Sequence, residues 1–149
     1  MSGRLLTDTA GGPTWPSTLN ADYAYRHSSP VRSVYVPVFR NALPELFEVF
    51  DFADPSTSTG KRNVSTVAPQ ALFLLNNGFV REQAEAAAKR PAPGENRARI
   101  VRVYRLVLGR VPSEGETAAA LKHVAGAGEP AWATLFQALF ASPDFRYVR

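Results

Sequence analysis

Apolar residues recur at helical spacing through the second half of the chain. Ile100, Val103, Tyr104, Val107 and Leu108 follow the i, i+3, i+4, i+7, i+8 pattern, which predicts an amphipathic helix over 96–108 with Asn96 as its cap. Gly109 closes that helix and Pro112 blocks a restart. Ser113-Glu114-Gly115-Glu116 reads as a capping box, with Ser at N-cap and Glu at N3. It opens a helix over 114–125 whose stripe is Leu121, Val124 and Ala125. Pro130 opens another over 130–141, where Trp132, Leu135, Phe136, Leu139 and Phe140 repeat the template. Ser142-Pro143 caps a last turn carrying Phe145 and Val148.

The middle of the chain reads differently. In "STVAPQALFLLNNGF" (65–79) the stretch Ala71–Leu75 is apolar on every side, which predicts a buried helix over 67–76. Ser65 or Thr66 can cap it, and Pro69 in the first turn costs little because the N–H it lacks would be unpaired. Asn76-Asn77-Gly78 ends it, and Phe79, Val80, Gln83, Ala84, Ala87 and Ala88 carry a further helix over 78–90. "LPELFEVF" gives a short helix over 43–50. "SVYVPVF" (33–39) is β-branched and aromatic, but Pro37 removes a ladder donor, so a short extended segment is expected. Residues 51–63 are a polar loop of turn formers.

Residues 1–33 hold Gly-Pro breaks together with Trp15, Tyr23 and Tyr25. They are expected to form an extended arm lying on the body or against an absent partner. The predicted fold is therefore all-α: about six short-to-medium helices in a compact orthogonal bundle over 34–149, with an irregular N-terminal arm. Leu72, Phe73, Leu75, Tyr104, Leu108, Trp132, Phe136 and Phe140 are the expected core.

Composition narrows the chemistry. The chain has 149 residues, 45% of them apolar, and a net charge of +4, enough for one domain with a modest core. It has no cysteine, which excludes disulfides, thiolate catalysis and Cys-based zinc sites. No apolar run approaches the ~20 residues of a membrane span. The first residues lack the apolar core of a signal peptide, so localisation is open for the chain as given.

The two histidines, His27 and His123, have no second ligand at i+3 or i+4, so no metal site is predicted. Asp51, Asp54, Ser56 and Ser58 lack the pattern of an EF-hand loop. "STGKRN" has Gly60-Lys61, but Pro55 and Arg62 stand where a P-loop needs glycine and Ser/Thr. No catalytic residue and no cofactor are predicted. Glu45 and Glu48 read as a solvated helix face rather than a glycosidase pair. Arg97, Arg99, Arg102, Arg105 and Arg110 cluster around one helix. Glu114 and Glu116 follow directly and no exposed aromatics interleave, which favours internal ion pairs, or a contact with an absent part of a larger protein, over nucleic acid. The ligand-binding candidates are Asp54, Lys61, Arg62, Gln70, Asn76 and Asn77. In the simplest reading the three amides lock the loop 51–64, because a buried amide without partners costs about 1–3 kcal/mol.

"VRSVYVPVFRN", "FDFADPSTSTGKRNVSTVAPQALFLLNNGFVREQA" and "YRLVLGRVPSEGE", in that order, resemble the C-terminal domain of large planctomycete proteins, the domain of unknown function numbered 1553. There it follows a cytochrome c-like segment and another domain. The resemblance implies a C-terminal fragment of a larger protein, with Met1 inside the parent's domain, upstream domains as partners, and a periplasmic or extracellular location for an intact parent. No C-x-x-C-H haem motif is present. "YRLVLGRVPSEGE" with the later "SPDF" is also similar to the helical repeat of phycobilisome-linker-like modules, whose Leu-Gly-Arg-x-Pro corner joins two helices. Ser113 stands where that pattern has Asp.

Two functional classes remain open. One is a non-catalytic helical scaffold or interaction module of a larger exported protein. The other is the substrate-binding part of an enzyme acting on an extracellular polymer, with catalytic residues upstream. An exposed apolar face would favour the first, a polar pocket around 51–64 the second.

Overall fold

A computed structural model describes residues 3–6, 31–40, 43–58, 60, 67–90, 94–126 and 128–147. The fold is all-α, with seven helices and no strand among the described residues. The helices are α1 (Glu45–Val49), α2 (Val67–Asn76), α3 (Gly78–Ala88), α4 (Asn96–Leu108), α5 (Glu114–Val124), α6 (Gly128–Ala141) and α7 (Pro143–Arg146). By contacts the chain forms two units, residues 71–149 with 1–4, and residues 5–70. Trp15, Tyr23 and Tyr25 of the expected arm lie outside the described residues.

In the larger unit α6 is the central element, packing on α3, α4, α5 and α7. It buries Ala131, Trp132, Leu135, Phe136, Leu139 and Phe140. Two adjacent residues per turn make a wide apolar stripe that serves several neighbours at once. The face of α3 turned inward is nearly all alanine, Ala84, Ala87 and Ala88, and small side chains let the large ones of α6 fill the space between. α4 contributes Ile100, Val103, Tyr104 and Val107. Ile100 is fully buried. Phe136, Phe140 and Phe145 form an aromatic row with ring centres 6.1 and 5.2 Å apart, tying α7 to α6 in edge-tilted geometry.

Local chemistry sets the helix ends. Ser113 Oγ accepts from the Glu116 N–H at 3.2 Å, and Glu116 Oε2 accepts from the Ser113 N–H at 2.7 Å. This is the reciprocal box expected from the sequence. Ser142 Oγ accepts from the Phe145 N–H and starts α7. Gly109 ends α4 at φ 70°, a left-handed conformation that a side chain would strain. The N-cap of α4 is Glu95, whose side chain makes no capping bond. Asn96 is instead the first helical residue, one position later than a capping role requires.

The smaller unit contains a 3-10 turn at Ser33–Tyr35 where an extended segment was expected. The Tyr35 and Val36 N–H groups bond the Arg32 and Ser33 carbonyls, which coils the chain before Pro37 is reached. The α1 segment buries Phe47, whose ring stacks on Phe52 at 5.0 Å. Asp51, at φ 54°, turns the chain back so that the Phe52 N–H reaches the Phe47 carbonyl.

The expected core is corrected in its middle. Tyr104, Trp132, Phe136 and Phe140 are buried, but Phe73 and Leu108 are half-buried, and Leu72 and Leu75 are 59% and 48% exposed. In α2, Gln70 and Leu74 are the buried pair, one helical turn apart. A sequence apolar on all sides does not say which side faces inward. The stripe of α5 is also shifted: Thr117, Ala120 and Val124 are buried, while Ala125 is exposed. Thr117 is tolerated there because its hydroxyl donates to the Ser113 carbonyl at 2.8 Å.

Candidate functional site

The arginines of and beside α4 divide into two settings. Near its N-terminal end, the Arg99 guanidinium lies 3.9 Å from the Trp132 ring centre. One Nη donates to the Ala88 carbonyl at 3.0 Å, at the last residue of α3. Arg99 therefore joins α4 to α3 and α6, with its charge at the negative end of the α3 dipole. Its Nε is buried without a hydrogen-bond partner, and Arg99 has no carboxylate within ion-pair distance among the described residues. Burial lowers its pKa, and the charge of Glu129 opposes that shift. A pocket of about 330 Å³ opens here, lined by Lys89, Arg90, Arg99, Glu129 and Trp132 among others. Lys89 and Glu129 also line an adjoining groove of about 500 Å³ along α3 and α6, with Arg81, Glu85, Thr134 and Gln137.

Just past the C-terminal end of α4, Arg110 is fully engaged. It donates to both oxygens of Glu116, at 2.9 and 2.7 Å, and twice to Asp144 Oδ2, at 3.0 and 2.7 Å. Its fifth direction reaches the Val111 carbonyl. These bonds raise the Arg110 pKa. They also hold the Glu116 carboxyl at about 2, with the Ser113 N–H assisting. Arg97 pairs with Glu114 at 3.1 Å, with both side chains well exposed.

A third feature is the corner between α2 and α3. Asn77 Oδ1 accepts from the Phe79 N–H at 2.9 Å and caps α3, and Asn76 Nδ2 donates to the Leu72 carbonyl at 3.0 Å. Gln137 Nε2 on α6 donates to the Leu75 carbonyl at 2.7 Å. The backbone of the corner is thus fixed, while Leu72, Leu75 and Phe79 all point outward, Phe79 at 55% exposure. Leu72 and Leu75 share a face of α2, being three residues apart.

The site candidates fall in separate local settings. Asn76 and Asn77 meet at the corner, where their amides bond helix backbone. Gln70 is buried on α2. Asp54 is exposed, and its Oδ1 accepts from the Ser56 N–H at 2.8 Å, closing a local turn. Lys61 and Arg62 lie outside the described residues. His123 Nε2 bonds the Ala131 carbonyl at 3.1 Å, a link from α5 to α6, and His27 lies outside the described residues. Sequence reasoning grouped Arg99 with the other arginines and missed its partner. Trp132 is 33 positions away, and only its place on the buried stripe of α6 hinted at a contact.

Fold and site together define an all-α protein that, among the described residues, presents a cluster of guanidinium groups and an apolar corner. The chain belongs to the family described as PSD1, protein of unknown function (DUF1553), whose model matches residues 1–124. No curated protein and no solved structure matches it. No described helix is long and apolar enough to cross a membrane.

Proposed function

We propose that the chain is a non-catalytic helical interaction module at the C-terminus of a larger exported protein of planctomycete type. In this reading its partner is the upstream part of that protein. The reading rests on the α2–α3 corner, where Leu72, Leu75 and Phe79 stand outward from a backbone held by capping and by Gln137. Large apolar side chains on a fixed corner lose little entropy on docking, and burying each is worth about 1.5–3 kcal/mol. A partner surface covering all three would gain a compact anchor without any change in the fold.

The test is association in trans. The upstream polypeptide of the parent is mixed with this chain, and binding is measured by calorimetry. Leu72→Ser with Phe79→Ser should weaken binding at least tenfold while helix content and melting temperature stay near those of the parent chain. Unchanged affinity, or no binding by the unmutated chain, would overturn the reading.

A further inference from the structure

The pocket at the N-terminal end of α6 combines features that the interaction reading leaves unused. Lys89, Arg90 and Arg99 line it against one carboxylate, Glu129. Lys89 is exposed and makes no ion pair among the described residues. Arg99 differs from Arg97 and Arg110 in a specific way. Those two are carboxylate-paired although more of each is in water, whereas Arg99 is half-buried with a backbone carbonyl and an aromatic face as its partners. A guanidinium has five N–H donors, and Arg99 commits one to Ala88. Arg99 lines the pocket, and its contact with the Trp132 ring and its bond to Ala88 hold the guanidinium in place before any ligand arrives. Fixed donors and a second cation at the mouth are what a planar or tetrahedral oxyanion requires.

We propose that this pocket is a binding site for an oxyanion, a carboxylate, sulfate or phosphate group, gripped by Arg99 and Lys89. The volume of about 330 Å³ is at the small end of ligand sites. It holds a free ion, or the charged group of a sugar-sized molecule whose remainder extends toward Thr134 and Gln137 in the adjoining groove. Desolvation of the Arg99 charge supports the assignment, because an incoming anion would relieve it.

Binding is read by two-dimensional NMR on the full chain, following the indole N–H of Trp132, with Trp15→Phe to remove the second indole. Inorganic sulfate, inorganic phosphate, galacturonate and glucose 6-sulfate are titrated separately at matched ionic strength in sodium chloride, which removes general screening. A saturable shift of the Trp132 resonance is expected with at least one probe. Tighter binding of the sugar probes would identify an organic anion as the ligand, and equal binding would identify the free ion; either supports the site. Lys89→Gln should weaken binding severalfold, and Arg99→Gln should abolish it. Arg105→Gln, on an exposed residue outside this pocket, should change nothing. If Arg99→Gln fails to fold, Lys89→Gln still decides. No saturable shift with any probe, or equal affinity in Lys89→Gln and the unmutated chain, would overturn the proposal.

Discussion

Arg99, in the first turn of α4, and Arg110, just past its end, are anchored by opposite means. Arg110 saturates its fork with two carboxylates, one 34 residues away, and locks α7 against the α4–α5 corner. Arg99 has an aromatic face and a helix-end carbonyl instead. The first arrangement is closed: its donors are spent and its single positive charge faces two carboxylates. The second leaves a net positive pocket beside the core. Charge count alone would have ranked the two ends alike. What separates them is whether a carboxylate reaches the guanidinium before water or a ligand does.

Substitution at the shared support of the open end should give the largest effect. Trp132→Ala removes a buried ring and the surface on which Arg99 lies, and Phe136→Ala opens the neighbouring layer. Each should cost about 3–5 kcal/mol in urea unfolding. A loss under about 1 kcal/mol would mean that α6 turns its stripe elsewhere.

Arg99→Gln should cost less, about 1–2 kcal/mol, from the lost stack and the weakened bond to Ala88. The test is a double-mutant cycle with Trp132→Phe. Strict additivity would show that the two side chains touch without coupling.

Arg110→Ala should cost about 1 kcal/mol, since the network is geometrically favourable yet partly in water. Its signature is in acid. Because the folded Glu116 pKa is depressed from the ordinary 4.5 to about 2, its contribution is fully present above pH 4.5. It declines as pH falls from there toward 2. Thermal unfolding between pH 5 and pH 2 should show a shallower decline in Arg110→Ala than in the parent chain. Parallel curves would mean that Glu116 is held by Ser113 alone.

The smallest effect is expected at Arg97, whose pair with Glu114 is well exposed. Arg97→Ala should change stability by less than about 0.5 kcal/mol at physiological salt. A larger loss would place Arg97 with Arg110 rather than among solvated pairs.

Much of the larger unit was legible from local pattern. The stripe of α6, that of α4 as far as Val107, the capping box at Ser113, the stop at Gly109 and the Ser142 cap all depend on near neighbours in sequence, and each is where its spacing placed it. The failures have a common form. Leu72 and Leu75 were assigned inward because Ala71–Leu75 is apolar on every side, so periodicity carried no orientation. Asn96 was read as a cap on residue type alone, yet capping is decided by where the backbone leaves extended geometry, and that occurs at Glu95. Within the arginine cluster Arg97 and Arg110 form internal ion pairs, but nothing in its spacing distinguishes them from Arg99.

The sequence by itself determined that the body is helical and set the ends at Gly109, Ser113 and Ser142, because hydrogen bonds within a turn and apolar periodicity are local quantities. Tertiary structure alone decided which side of α2 faces water, that Asp144 closes on Arg110, and that Trp132 rather than a carboxylate meets Arg99. Those outcomes depend on how separately formed helices pack, and a guanidinium takes whichever partner that packing brings within about 4 Å.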